Sequence, residues 1–158
     1  VKLDQQGAWC SMDKYGASDS TLRTLATYMP GVRSCLDEHE WYKHGSCSTK
    51  APNAYWGDAI TLMTRLGRTP LNSLIANNIG KTVTRLQLRQ AAGSSFGSTD
   101  STAVSFKCTT SGSTSYLTEV WITLNKSTLA QFPASTSLIT GGKTTSTCPS
   151  TGIFIARP

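Results

Sequence analysis

The two histidines of this chain fall within one short run, His39-Glu40-Trp41-Tyr42-Lys43-His44. Imidazoles titrate near neutral pH, which suits moving a proton to and from a hydroxyl such as that of a ribose. A lysine and a carboxylate beside them can stabilise a phosphorane-like charge distribution. On an α-helix the phase advances about 100° per residue, which sets His39 at about 0°, Lys43 at about 40°, Glu40 at about 100° and His44 at about 140°. The four polar groups then share one side, with Glu40–His44 and His39–Lys43 as i,i+4 neighbours. Glu38, Trp41, Tyr42 and Gly45 fall on the other side, where the aromatics can anchor the helix to a core. A single Glu–His pair would read as an ordinary solvated helix face. Four convergent groups that include every histidine point to acid–base chemistry instead. Zinc is the rival reading, but no third ligand is evident and Lys43 would repel a cation, so neither a metal nor a cofactor is expected.

The elements that must position these groups read as α+β. Ser18-Asp19-Ser20 offers N-caps for a short helix through Leu22, Leu25 and Tyr28, which Pro30-Gly31 ends. The chemical run lies on a second helix, Leu36 to His44, with Gly45 as its expected stop. Pro52-Asn53 opens a third, whose Trp56, Ile60, Met63 and Leu66 recur at helical spacing and read as core. Pro70 to Asn78 is a fourth, broken by Gly80. Thr84 caps a fifth that runs through Leu86, Leu88 and Ala92. Beyond Gly93 the pattern changes to β-rich alternation over 103–108, 116–124 and 152–155, separated by Ser/Thr/Gly-rich loops at 109–115 and 140–146. The expected architecture is therefore helices in the N-terminal two-thirds, packed on an antiparallel sheet drawn largely from the C-terminal third. Residues 1–158 read as one domain without repeats.

Fifteen Lys and Arg against nine Asp and Glu give a net charge of +6. That balance suits a polyanionic partner, because neutralising phosphates releases counterions. No apolar run approaches the roughly 18 residues that span a bilayer, so no membrane association is expected. No secretory leader is legible, which leaves a mature exported chain or a cytosolic one. Five cysteines without a CxxC spacing favour disulfides, and with them a periplasmic or secreted location. Five is odd, so one thiol lacks a partner within the chain. Nothing calls for an obligate dimer, and a monomer is expected.

The stretch Glu38-His39-Glu40-Trp41-Tyr42-Lys43-His44-Gly45-Ser46-Cys47 closely resembles the second active-site motif of the T2 ribonucleases, E-H-E-W-x-K-H-G-[ST]-C. Met29-Pro30-Gly31, Arg33-Ser34-Cys35, Gly80-Lys81-Thr82-Val83, Tyr116-Leu117-Thr118-Glu119 and Cys148 are similar to the bacterial periplasmic branch of that family. The resemblance implies an α+β endoribonuclease that needs no metal. Its reaction is attack of the 2′-hydroxyl on the neighbouring phosphate, leaving a 2′,3′-cyclic phosphate. It implies His44 as general base, Glu40 and Lys43 as stabilisers of the pentacovalent transition state, and His39 as a phosphate contact. RNA is the implied partner. Trp41 matches an aromatic position of the family and reads as packing more than as a base platform.

The chain departs from the family in one respect. An earlier family motif, H-G-L-W-P, carries the general acid for the leaving 5′-oxygen, and it does not occur here. Its counterpart would stand upstream of Cys10, and only nine residues precede that cysteine. The family pattern also implies the disulfides Cys10–Cys47 and Cys108–Cys148, each closing a loop of about 40 residues and worth about 3–4 kcal/mol. That leaves Cys35 unpaired, its family partner lying near the N-terminus. The expectation is an absent upstream segment, held as a separate N-terminal peptide through Cys35 or lost. The second reading is a catalytically impaired RNA-binding module without its general-acid histidine.

Overall fold

A computed structural model describes residues 15–98, 100, 102–141 and 145–157. The chain divides into two compact units, Val1–Thr64 and Arg65–Pro158.

In the first unit Ser18 caps α1 (Asp19–Leu25) as its composition predicts, its side chain accepting from the Thr21 amide. Pro30–Ser34 then forms a 3₁₀ turn, α2 spans Leu36–Glu40, and α3 spans Pro52–Leu66. Ala17, Leu25 and Trp56 form the buried centre, ringed by Leu22, Met29, Val32, Trp41, Tyr55 and Ile60. The apolar stripe of α3 therefore reads correctly at Trp56 and Ile60. Met63, expected in the core, is 40% exposed and is not among the residues of that cluster.

The cysteines correct an expectation. Cys35 is disulfide-bonded, and Cys47 is a free, exposed thiol; Cys10 lies outside the described residues. Cys35 is half-buried at the start of α2, whereas Cys47 sits on a solvated terminal turn. Among the described residues the free thiol is thus Cys47, and Cys35, on which attachment of a separate peptide rested as a free thiol, is bonded.

In the second unit, α4 (Pro70–Asn77) is capped by Thr69, whose hydroxyl accepts from the Asn72 amide, with Pro70 in the first turn. α5 (Arg85–Phe96) carries a full capping box, Thr84 and Gln87 each bonding the other's backbone. It runs past Gly93 and ends at Gly97, whose φ of +65° suits glycine. Leu88 and Ala92 are buried, but Leu86 is 63% exposed. Two positions along a helix turn a side chain by about 200°, so Leu86 and Leu88 cannot both face the core.

The sheet has the order β1-β4-β3-β2, formed by Thr82–Val83, Ile153–Phe154, Thr114–Ile122 and Val104–Ser111. Three of its four strands come from the C-terminal third, as expected. β2 and β3 pair antiparallel, yet β3 and β4 pair parallel, so the sheet is mixed. The 109–115 stretch is largely strand rather than loop: Thr109 pairs with Tyr116, Thr110 with Ser115 and Ser111 with Thr114. Its threonines are β-branched and stand at the solvated end of the hairpin, so polar composition there does not oppose pairing. Cys108 and Cys148 are bonded as expected, 40 residues apart. Among the described residues no helix is long and apolar enough to cross a membrane.

Candidate active site

The segment with the chemical residues is one continuous helical run of changing pitch. Cys35 enters it with left-handed backbone (φ 59°, ψ 29°). Asp37 and Glu38 occupy the first turn of α2, where carboxylates complement the positive end of the helix. Both are buried, at 4% and 5% exposure. At Trp41 the helix widens into a π-turn that lasts to Gly45, and the Ser46 amide donates to the Trp41 carbonyl five residues back. A 3₁₀ turn, Ser46–Ser48, follows, and Thr49 (φ 63°) ends the run. The stop expected at Gly45 therefore falls four residues later. Lys43 and His44 lie in the last turn of the π segment. Single π-turns inside helices are uncommon and concentrate at functional sites.

The wide turn depends on Gly45. This residue is buried, and a Cβ built on it would stand 2.3 Å from Trp41 Cε3. Trp41 stacks with Tyr15 at 5.9 Å between ring centroids and meets Tyr55 edge-on at 5.6 Å. It thus packs, as expected. Tyr42, expected beside it as an anchor, is 44% exposed.

Of the four candidate groups, the structure brings Glu40 and His44 together. Glu40 Oε2 lies 3.6 Å from His44 Nε2, with the side chains 36% and 55% exposed. A pair this open to solvent contributes about 0–1 kcal/mol at most, so it does not hold the segment in place. His39 is half-buried on the α-helical turn, and Lys43 is exposed on the π-turn. Among the described residues no three His, Cys, Asp or Glu converge as metal ligands.

Sequence reasoning missed what lies behind these groups. Tyr15 donates a 2.6 Å hydrogen bond to Asp37 Oδ2. Burial first, and then this bond to a carboxylate, push the Tyr15 phenol well above its usual titration range, so it stays a donor. Tyr55 is likewise raised by burial, and secondarily by the charge of Glu40. Asp37 stands four residues before Trp41, one helical turn away, and that spacing is the only signal that could have found it.

The residues of this π-turn, with its carboxylate and exposed imidazole, fall within a stretch of sequence that a known family matches. The Ribonuclease T2 family model matches residues 5–134. The chain belongs to the ribonuclease T2 family. Ribonuclease I of Escherichia coli (strain K12) is 36% identical over 117 residues, which is 73% of this chain and 43% of that protein. The chain thus spans less than half the length of this T2 relative. The matched range contains the whole α2–π segment with His39, Glu40, Lys43 and His44.

Proposed function

We propose that this chain serves a T2-type endoribonuclease that cuts single-stranded RNA without a metal. The observation that carries the reading is Glu40 beside His44 at 3.6 Å on an exposed π-turn, inside a family-matched motif. His44 is the general base that takes the ribose 2′-OH proton. The freed oxygen bonds to phosphorus, and the bond from phosphorus to the 5′-oxygen breaks, leaving a 2′,3′-cyclic phosphate. Lys43 and Glu40 stabilise the charge of the pentacovalent state, and His39 with Lys43 contacts the phosphate. The leaving 5′-oxygen takes its proton from a general acid other than these four, because in-line displacement needs that group across the phosphorus from the base.

Further support is indirect. The net charge of +6 favours a polyanion. The Cys108–Cys148 bridge fits an oxidising compartment, hence a periplasmic or secreted location. The two units are read as one T2 domain, since the family match runs across the boundary between them.

The test is incubation with single-stranded RNA in EDTA, beside His44→Ala, with identification of the cleaved ends. Cutting to 2′,3′-cyclic phosphates that is lost in the variant supports the reading. RNA binding without cutting above the variant's level would replace it with a catalytically impaired RNA-binding module.

A further inference from the structure

The weak, exposed Glu40–His44 pair cannot fix its own geometry, so something behind the segment must. Three contacts converge there from one residue. Tyr15 Oη donates to Asp37 Oδ2 at 2.6 Å. Its ring stacks on Trp41 with centroids 5.9 Å apart and planes 23° apart. The same ring meets Tyr42 at 6.4 Å, tilted by 60°. Asp37 belongs to the α-helical turn, and Trp41 and Tyr42 open the π-turn. One side chain thus grips the helix on both sides of its change in pitch.

We propose that Tyr15 is a positioning residue: by holding Asp37 and Trp41 together, it sets the α-to-π transition that brings Glu40 to His44. The inference rests on the ribonuclease reading for its catalytic consequence, though not for its geometry. The hydrogen bond ties the phenol to a buried carboxylate, and a buried acceptor that loses its partner is costly to leave unsatisfied. The stack orients Trp41, whose ring crosses the bare α-carbon of Gly45. With the hydrogen bond lost, Trp41 keeps its ring contact and the α2 turn loses its tether. With the ring lost as well, Trp41 keeps, among the ring contacts of the described residues, only the edge-on one from Tyr55, and the π-turn is freer to relax.

The experiment compares the 158-residue chain with Tyr15→Phe and Tyr15→Leu. Two readouts are taken: steady-state cleavage of a single-stranded oligoribonucleotide in EDTA, and the imidazole ¹H–¹⁵N spectrum. The chain has only two histidines, so each ring signal is assignable through a His44→Ala control. Tyr15→Phe should move the His44 ring signal while amide dispersion is kept. It should lower kcat by about 10-fold with KM within twofold, since a displacement of about 1 Å costs up to about 100-fold. Tyr15→Leu should lose more, with phenylalanine recovering part of the difference.

An unmoved His44 signal overturns the proposal. So does a moved signal with unchanged kcat, or a kcat loss that disappears at lower temperature as the variant refolds. If the parent chain cuts no RNA, the ribonuclease reading fails, and the ring signal alone decides the role of Tyr15.

Discussion

Trp41 and Gly45 approach so closely that the smallest side chain cannot stand between them. A Cβ on residue 45 would meet Trp41 Cε3 at 2.3 Å and Cζ3 at 2.9 Å. Trp41 cannot retreat freely, because Tyr15 and Tyr55 both pack on it. Gly45→Ala should therefore cost about 1–3 kcal/mol, the usual penalty of overpacking. Its activity should fall further than that instability explains, because the displaced ring lies on the turn that holds His44. Urea unfolding and cleavage rate, measured at a temperature where the variant is fully folded, check both halves.

The exposed pair behaves in the opposite way. His44→Ala and Glu40→Gln remove groups that solvent already screens, so each should change stability by less than about 1 kcal/mol. On the proposed mechanism, loss of the base should cost about 10²- to 10⁴-fold in kcat. Glu40→Gln should cost less, since a neutral amide still accepts hydrogen bonds from the imidazole. A thermal melt beside a rate measurement separates the effects, and a large fall in melting temperature for either variant would contradict the exposure seen here.

The contrast between these substitutions marks how far the sequence reaches. Helix caps were legible at Ser18 and Thr84 because their signals are local: each bonds a backbone amide three residues on. The motif was legible because its ten residues are contiguous. What supports it was not, since Tyr15 lies 22 residues from Asp37 and no periodicity connects them. The change from α to π pitch was equally hidden. It follows from a ring passing a glycine, and helical phase arithmetic assumes constant pitch. The same assumption placed Tyr42 with the anchoring aromatics, whereas it is 44% exposed. The parallel β3–β4 pairing was missed because β4 has two residues, Ile153 and Phe154, too few to carry a pattern.

Alkaline conditions should expose the buried phenol. The folded titration point of Tyr15 is raised above its ordinary value of 10.0, first by burial and then by Asp37. The unfolded chain therefore releases this proton at lower pH than the folded one. Its contribution to stability is complete below about pH 10 and declines as pH rises from there towards the folded value. Urea midpoints taken at pH 8 and at successive steps above pH 10 should fall for the parent chain. Tyr15→Phe should begin less stable and lose less over the same steps. Parallel slopes for the two proteins would show that the phenol is free to ionise in the folded state.

The two described cysteines near the motif make the last distinction. Cys47 is free and exposed, whereas Cys35 is disulfide-bonded, the reverse of the pairing that the family pattern implies. A thiol reagent added to the native chain should label one cysteine, and mass mapping of the digest should find the label on Cys47. Cys47→Ser, a surface change that breaks no bond, should leave stability within about 0.5 kcal/mol. Cys35→Ser should cost several-fold more, because it opens a cross-link. Cys108→Ser should cost about 3–4 kcal/mol through the 40-residue loop that the bridge closes. If native labelling fails at Cys47 and appears at Cys35, the family pairing holds in solution and Cys47 is the bridged residue.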